Sequence, residues 1–269
     1  MKVAFTSTLS KNYLLGFKIF LKSIVVNNPS IDIPYVIFNE GDITSSDLVE
    51  IRKIYSNVYL RDICAEFYKD CKFKNIRNWN INPANRLEIF TLSEYDRIIF
   101  FDVDMLCLGD ISYLLTVQCD FGGVKHPMHE SVEMQKAFIY DKNVGFNGGL
   151  LVINNKFLNN ETILGIKDII KSHTWFGNQS SLNIYFKNHI TFLPEKYFLS
   201  TPFMNFQNIK TSLIWHFAGN KKPWEGIPFA GTNFDLLKEK YNTHVLKCTN
   251  FSVLIKVQKE YEKYRALVN

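Results

Sequence analysis

The chain has 269 residues, room for one large domain or two small ones, and its 46% hydrophobic and 21% charged content is that of a folded globular protein, not a disordered one. Its net charge of +5 is spread along the chain, with no basic block interleaved with aromatics. That argues against a nucleic-acid binder and leaves an anionic small ligand or an anionic surface open.

Val3 to Thr6 reads as a short strand, and Leu14, Phe17, Leu21 and Ile24 then recur at helical spacing with Lys18 and Lys22 on the other side. Those lysines interrupt the apolar stretch Leu14 to Val26, and Met1-Lys2-Val3-Ala4-Phe5 lacks a signal-peptide layout, so a cytoplasmic location is expected. The sequons at Asn160, Asn178 and Asn250 are then accidental. Cys64, Cys71, Cys107, Cys119 and Cys248 are odd in number without C-x-x-C spacing, and read as reduced thiols.

A second strand is expected at Ile33 to Phe38, a helix at Asp47 to Tyr55, a strand at Val58 to Ile63 and a helix from Asn85 to Tyr95 leading into the strand Arg97 to Phe101. This rhythm implies a Rossmann-like, mostly parallel central sheet flanked by helices in a single α/β domain, with ligands beyond the carboxyl ends of the strands. Further strands are expected at Phe121 to Val124, Gly149 to Ile153, Ile190 to Leu193 and Leu213 to Phe217, and helices at Glu161 to His173 and Ser180 to Phe186. From Phe251 to Asn269, Leu254, Val257, Tyr261, Tyr264 and Val268 mark an amphipathic helix, with Lys256, Lys259, Lys263 and Arg265 nearby. Docking on the domain is the favoured use of that face, and a peripheral membrane contact or a homodimer needs the same pattern.

Phe101-Asp102-Val103-Asp104 closes the hydrophobic run Arg97 to Phe100. Alternation in a strand points Asp102 and Asp104 to one face with Val103 turned away. Two carboxylates so close repel each other unless a cation or a shared proton compensates them, and their oxygens suit a hard cation such as Mg or Mn. By itself the pair is equally at home at a solvated strand end. His216-Phe217-Ala218-Gly219-Asn220-Lys221-Lys222 adds an imidazole, a glycine whose amide can approach a phosphate, and a lysine that neutralises charge. Together these residues describe a metal-diphosphate site.

The full set resembles glycosyltransferase family 8, which includes glycogenin and bacterial lipopolysaccharide galactosyl- and glucosyltransferases. The resemblance rests on Phe101-Asp102-Val103-Asp104, Leu108-Gly109-Asp110-Ile111, Phe146-Asn147-Gly148-Gly149, Asn178-Gln179 before Leu182-Asn183, and His216-x-x-Gly219-x-x-Lys222-Pro223-Trp224, in order. It implies a GT-A fold and retaining transfer of a hexose from a UDP-sugar, with Mn as the usual metal and Mg as an alternative. Carried over, Asp102, Asp104 and His216 would hold the metal, and Gly219 and Lys222 the diphosphate. Phe5, Thr6 and Ser7 would flank the base, Tyr13 would stack on it, and Asp102 with Val103 would lie near the ribose. Arg86 would sit near the sugar and phosphates, and Asn147, Gly148, Asn178 and Gln179 would face the sugar, with Gln179, Asn178 and Arg86 as catalytic residues.

Bland readings stand beside these. Tyr13 also suits a core position, and Arg86 could pair with Glu88 or Glu94. Asn178 replaces the aspartate usual in the family, and Gly148 a serine or alanine, which leaves room for an N-acetylhexosamine. Residues 1–225 are expected to form the nucleotide-sugar domain and residues 226–269 a helical extension packed on it. The acceptor is a glycan or a protein, and its pocket is expected in the loops Cys64 to Trp79 and His126 to Asn143. A glycogenin-like self-glycosylating primer and a nucleotide-sugar binding protein without transfer activity are the alternatives.

Overall fold

The apolar runs of the first hundred residues become parallel strands, because a run buried on both faces needs helices packed over each side. In the computed structural model, which describes residues 1–39, 41–71, 83–126, 145–172, 178–200, 204–218, 222–225 and 251–268, these are β1 (Val3–Thr8), β2 (Tyr35–Asn39), β3 (Val58–Asp62) and β4 (Arg97–Phe101). Helix α1 (Leu14–Asn27) joins the first two strands, and α2 (Ser45–Ile54) joins β2 to β3, opened by a capping box in which Thr44 and Asp47 satisfy each other's backbone N–H groups.

The later strands are β5 (Met105–Cys107), β6 (Phe121–His126), β7 (Gly145–Asn154), β8 (Ile190–Leu193), β9 (Leu199–Ser200) and β10 (Ile214–His216). Helices α3 (Ser112–Thr116), α4 (Asn160–Ser172), α5 (Asn178–Tyr185), α6 (Asn208–Thr211) and α7 (Phe251–Arg265) complete the regular structure. The seven-stranded sheet has the order β3-β2-β1-β4-β7-β6-β8, and only β7 runs against its neighbours. A second sheet has the order β5-β10-β9. The fold is therefore the mixed α/β domain with a mostly parallel central sheet that the sequence implies.

The pleat divides β4 between two cores: Ile99 and Phe101 pack with α1, whereas Ile98 and Phe100 pack with Ile163, Ile166 and Ile170 of α4. A third cluster joins Ile19 of α1, Leu106 and Trp215 of the small sheet, and Val253, Leu254, Val257 and Tyr261 of α7. The apolar face of α7 is thus buried inside the molecule, with Lys256, Lys259 and Lys263 exposed. A membrane contact or a dimer through that apolar face would require undocking it. No described helix is long and apolar enough to cross a membrane.

Three local expectations change. The segment read as a helix over 85–95 is a 3-10 helix, Pro83–Thr91, and its three-residue repeat stacks buried Ala84, Leu87 and Phe90 on one line. Strand β7 runs from Gly145 and not from Gly149, so Asn147 and Gly148 also lie within the sheet. Strands β5 and β9, with three and two residues, escape periodicity altogether. Most of the expected acceptor loops, together with Gly219 and Cys248, lies outside the described residues.

Candidate active site

Asp102 and Asp104 occupy a bend where the two sheets meet. The Asp102 N–H donates to the Gly149 carbonyl at 2.8 Å, extending the β4–β7 ladder, whereas the Asp104 carbonyl accepts from the Phe217 N–H at 2.8 Å, at the end of β10. One aspartate belongs to the large sheet and the other to the small one. Their convergence follows from this bend instead of the strand alternation expected from sequence. Val103 turns its side chain into the core with Phe101 and Met105, which leaves only its backbone for a ligand.

His216, the last residue of β10, reaches the pair from the small sheet. Its Nε2 lies 3.5 Å from Asp102 Oδ2 and 3.2 Å from Asp104 Oδ1, and one ligand atom from each of the three residues falls within 4.8 Å of the others. Two carboxylates and an imidazole form a donor set that fits Mn or Mg. Lys222 Nζ lies 2.5 Å from Asp104 Oδ2 and donates to the Phe217 carbonyl at 2.9 Å. Burial pushes the Asp104 carboxyl up, but the Lys222 ammonium and His216 outweigh it and hold the group well below the usual carboxylate range. Burial likewise opposes the charge on Lys222, and Asp104 overrides it to raise the lysine pKa.

Arg86 ion-pairs with Asp102 through Nη2, donates from Nη1 to the Gly148 carbonyl at 3.3 Å, and lies over the Phe100 ring. Glu88 instead accepts from the Cys64 N–H at 2.9 Å, and Glu94 pairs with Arg61. Asn147 Oδ1 accepts from the Gly149 N–H at 2.7 Å, and Gln179 Oε1 accepts from the Gly148 N–H at 3.1 Å. Asn178 donates from Nδ2 to the Pro83 carbonyl at 2.7 Å, and its buried Oδ1 has no hydrogen-bond partner among the described residues. The arrangement brings Arg86, Asp102, Asn147, Gly148 and Gln179 into one network, whereas Asn178 is tied to Pro83. A Cβ on Gly148 would lie 3.0 Å from Arg86 Nη1, so the missing side chain leaves its space to the end of the guanidinium.

Tyr13 stands on the lysine side: its ring meets Trp224 edge-on with centroids 5.6 Å apart, and Lys222 Nζ lies 5.7 Å from its centroid. Of the three residues expected at the base, Phe5 packs edge-on against Tyr35 and Phe101 in the core. The Ser7 hydroxyl donates to the Phe101 carbonyl at 2.7 Å and shares a 2.7 Å hydrogen bond with the Tyr35 hydroxyl. Only Thr6 keeps an uncommitted polar atom, a buried Oγ1 with no hydrogen-bond partner among the described residues.

A family model described as glycosyl transferase family 8 matches residues 4–227. The chain belongs to this family. Among its relatives, the lipopolysaccharide 1,2-glucosyltransferase of Escherichia coli is 25% identical, over 79% of this chain and 70% of its own length. The glycosyltransferase GlyE of Streptococcus pneumoniae is also 25% identical, over 62% of this chain, which spans only 45% of that relative. The galactosyltransferase LgtC, solved in complex with donor and acceptor sugar analogs, superposes with a TM-score of 0.72 at 18% identity, covering 98% of this chain and 95% of LgtC. That likeness shows the GT-A fold.

Within the family 8 motifs, Gly149 has a role that spacing does not reveal. A Cβ there would lie 2.9 Å from Asp102 Oδ2 and 3.0 Å from Asn147 Oδ1, so only glycine lets both side chains sit where they do. Asn183 bonds both the N–H and the carbonyl of Phe146 at 2.9 Å, fastening β7 to α5. Gly16 of α1, which lies in no motif, carries the Trp224 ring where a Cβ would stand, 2.5 Å from the nearest ring atom.

Proposed function

We propose that this chain is a cytoplasmic, metal-dependent, retaining glycosyltransferase that moves a hexose (glucose, galactose or an N-acetylhexosamine) from a UDP-sugar to a hydroxyl of a glycan acceptor. The observation that carries the reading is the convergence of Asp102, Asp104 and His216 beside Lys222, in a family 8 chain. We further propose residues 1–225 as the nucleotide-sugar domain and residues 226–269 as its extension.

Asp102, Asp104 and His216 would hold Mn or Mg. The ion supplies charge neutralisation at the diphosphate, which becomes more negative as the sugar-phosphate bond breaks. Lys222 turns its ammonium to the same phosphates, and Tyr13 offers a ring face to uracil. On the sugar side, Arg86 and Asn147 would border the donor, and Asn178 Oδ1, buried with no hydrogen-bond partner among the described residues, is the acceptor left for a sugar hydroxyl. Gln179 presents an amide, held by Gly148, that is too weak a nucleophile for a stable glycosyl-enzyme. Front-face attack by the acceptor, with oxocarbenium character at the anomeric carbon, suits such a site better than double displacement.

The test is UDP release from a panel of nucleotide sugars with Mn, including N-acetylated donors. We expect turnover with UDP-glucose, UDP-galactose or a UDP-N-acetylhexosamine and a loss of at least about a hundredfold in Asp104→Ala. Release unchanged by that substitution would overturn the metal assignment. Intact mass before and after incubation separates transfer to an acceptor from self-glycosylation.

A further inference from the structure

The lysine proposed to meet the diphosphate immediately precedes the 3-10 turn Pro223–Glu225, and packing on both sides fixes its position. On one side, Trp224 lies against Gly16 of α1 and edge-on to Tyr13. On the other side stands α7, which carries none of the family motifs. Gln258 of α7 donates from Nε2 to the Pro223 carbonyl at 3.2 Å, one residue from Lys222. One turn on, Tyr261 packs edge-on against Phe217, with centroids 5.3 Å apart, and the Phe217 carbonyl is the one that accepts from Lys222 Nζ.

Gln258 is an odd choice for that position. It is 4% exposed, on the helix that also buries Val253, Leu254, Val257 and Tyr261, and an apolar side chain there would have no polar group to satisfy. Its amide is fully oriented, because the second N–H of Nε2 goes to Glu262 Oε1 at 2.6 Å. A buried amide that spends one N–H on a partner in its own helix and the other on Pro223 serves that carbonyl.

We infer that Gln258 is a positioning residue for Lys222: by holding the Pro223 carbonyl it fixes the lysine backbone so that the ammonium stays within reach of the phosphates. The inference rests on the proposed metal-diphosphate site. It makes α7 part of the donor site, although no side chain of the helix need touch the donor.

The experiment is calorimetric binding of UDP in the presence of Mn to the full chain as wild type, Gln258→Leu, Lys222→Met and the double variant, with circular dichroism to establish folding. Gln258→Leu should weaken UDP binding by about three- to tenfold, the share of one neutral hydrogen bond. Lys222→Met should weaken it more, and the double variant should bind no worse than Lys222→Met alone, because Gln258 has nothing left to position. Losses that multiply in the double variant would overturn the inference, as would unchanged binding in folded Gln258→Leu. Unchanged binding in Lys222→Met would overturn the proposed role of the lysine itself. If Gln258→Leu fails to fold, Gln258→Met, with the same length and no donor, is read by the same criteria.

Discussion

A buried ammonium 2.5 Å from a buried carboxylate is a pair that neither partner leaves without cost. Removing one member strands the other in a poorly solvated place, a loss of about 3 to 5 kcal/mol. Asp104 is also a proposed metal ligand, so Lys222 and the ion are alternative counter-charges for the same carboxylate. Lys222→Met should therefore lower the melting temperature in the absence of divalent cations, and Mn should restore more stability to the variant than to the wild type. Thermal melts with and without Mn measure both effects. Equal Mn-induced shifts in the two proteins would mean that lysine and ion do not share Asp104. A phosphate that draws Lys222 away would likewise leave Asp104 to the ion, which couples binding of the nucleotide to binding of the metal.

Among the elements, α1 shows how packing overrides propensity. Alanine is a better helix former than glycine by about 1 kcal/mol, so propensity alone predicts that Gly16→Ala stabilises α1. The Trp224 ring occupies the place of the new methyl, and we expect a net destabilisation of about 1 to 3 kcal/mol instead, read from urea unfolding. A stabilised variant would show that Trp224 shifts freely. The same contest explains what the sequence made legible. The strands β1 to β4 and the helices α1, α2, α4 and α7 carry long apolar runs or clear periodicity. The segment 83–91 does not: Ala84, Leu87, Ile89 and Phe90 are all buried, so side-chain pattern could not tell a 3-10 helix from an α-helix. Strands β5 and β9 are too short for any period and exist because β10 lies between them.

Over the whole molecule, the described residues offer no plane of division, because α1 contributes Phe17 and Phe20 to one core and Ile19 to the cluster shared with α7. Calorimetry should give a single unfolding transition, which Leu254→Ala lowers as a whole, at a cost of about 2 to 5 kcal/mol. A separate early transition, shifted alone by that substitution, would mean that α7 melts as its own unit. Asp102, Asp104, His216 and Lys222 were legible at this scale because clustered charges need one another for chemical reasons, whatever the distance along the chain. Gln258 was not, since a glutamine in an amphipathic helix looks like any residue of the polar face until the path of residues 222–225 is known. The anchoring of Asp102 on one sheet and Asp104 on the other also bears on when the pocket can exist. His216 and Lys222 must be brought back to the pair across a loop in which Asp104 and Lys222 stand 118 positions apart, and closing it costs entropy before any contact rewards it. A chain still emerging from synthesis, with four parallel strands already paired, holds the two carboxylates without the imidazole and the ammonium that face them. The proposed site is complete only when the last third of the chain has come home.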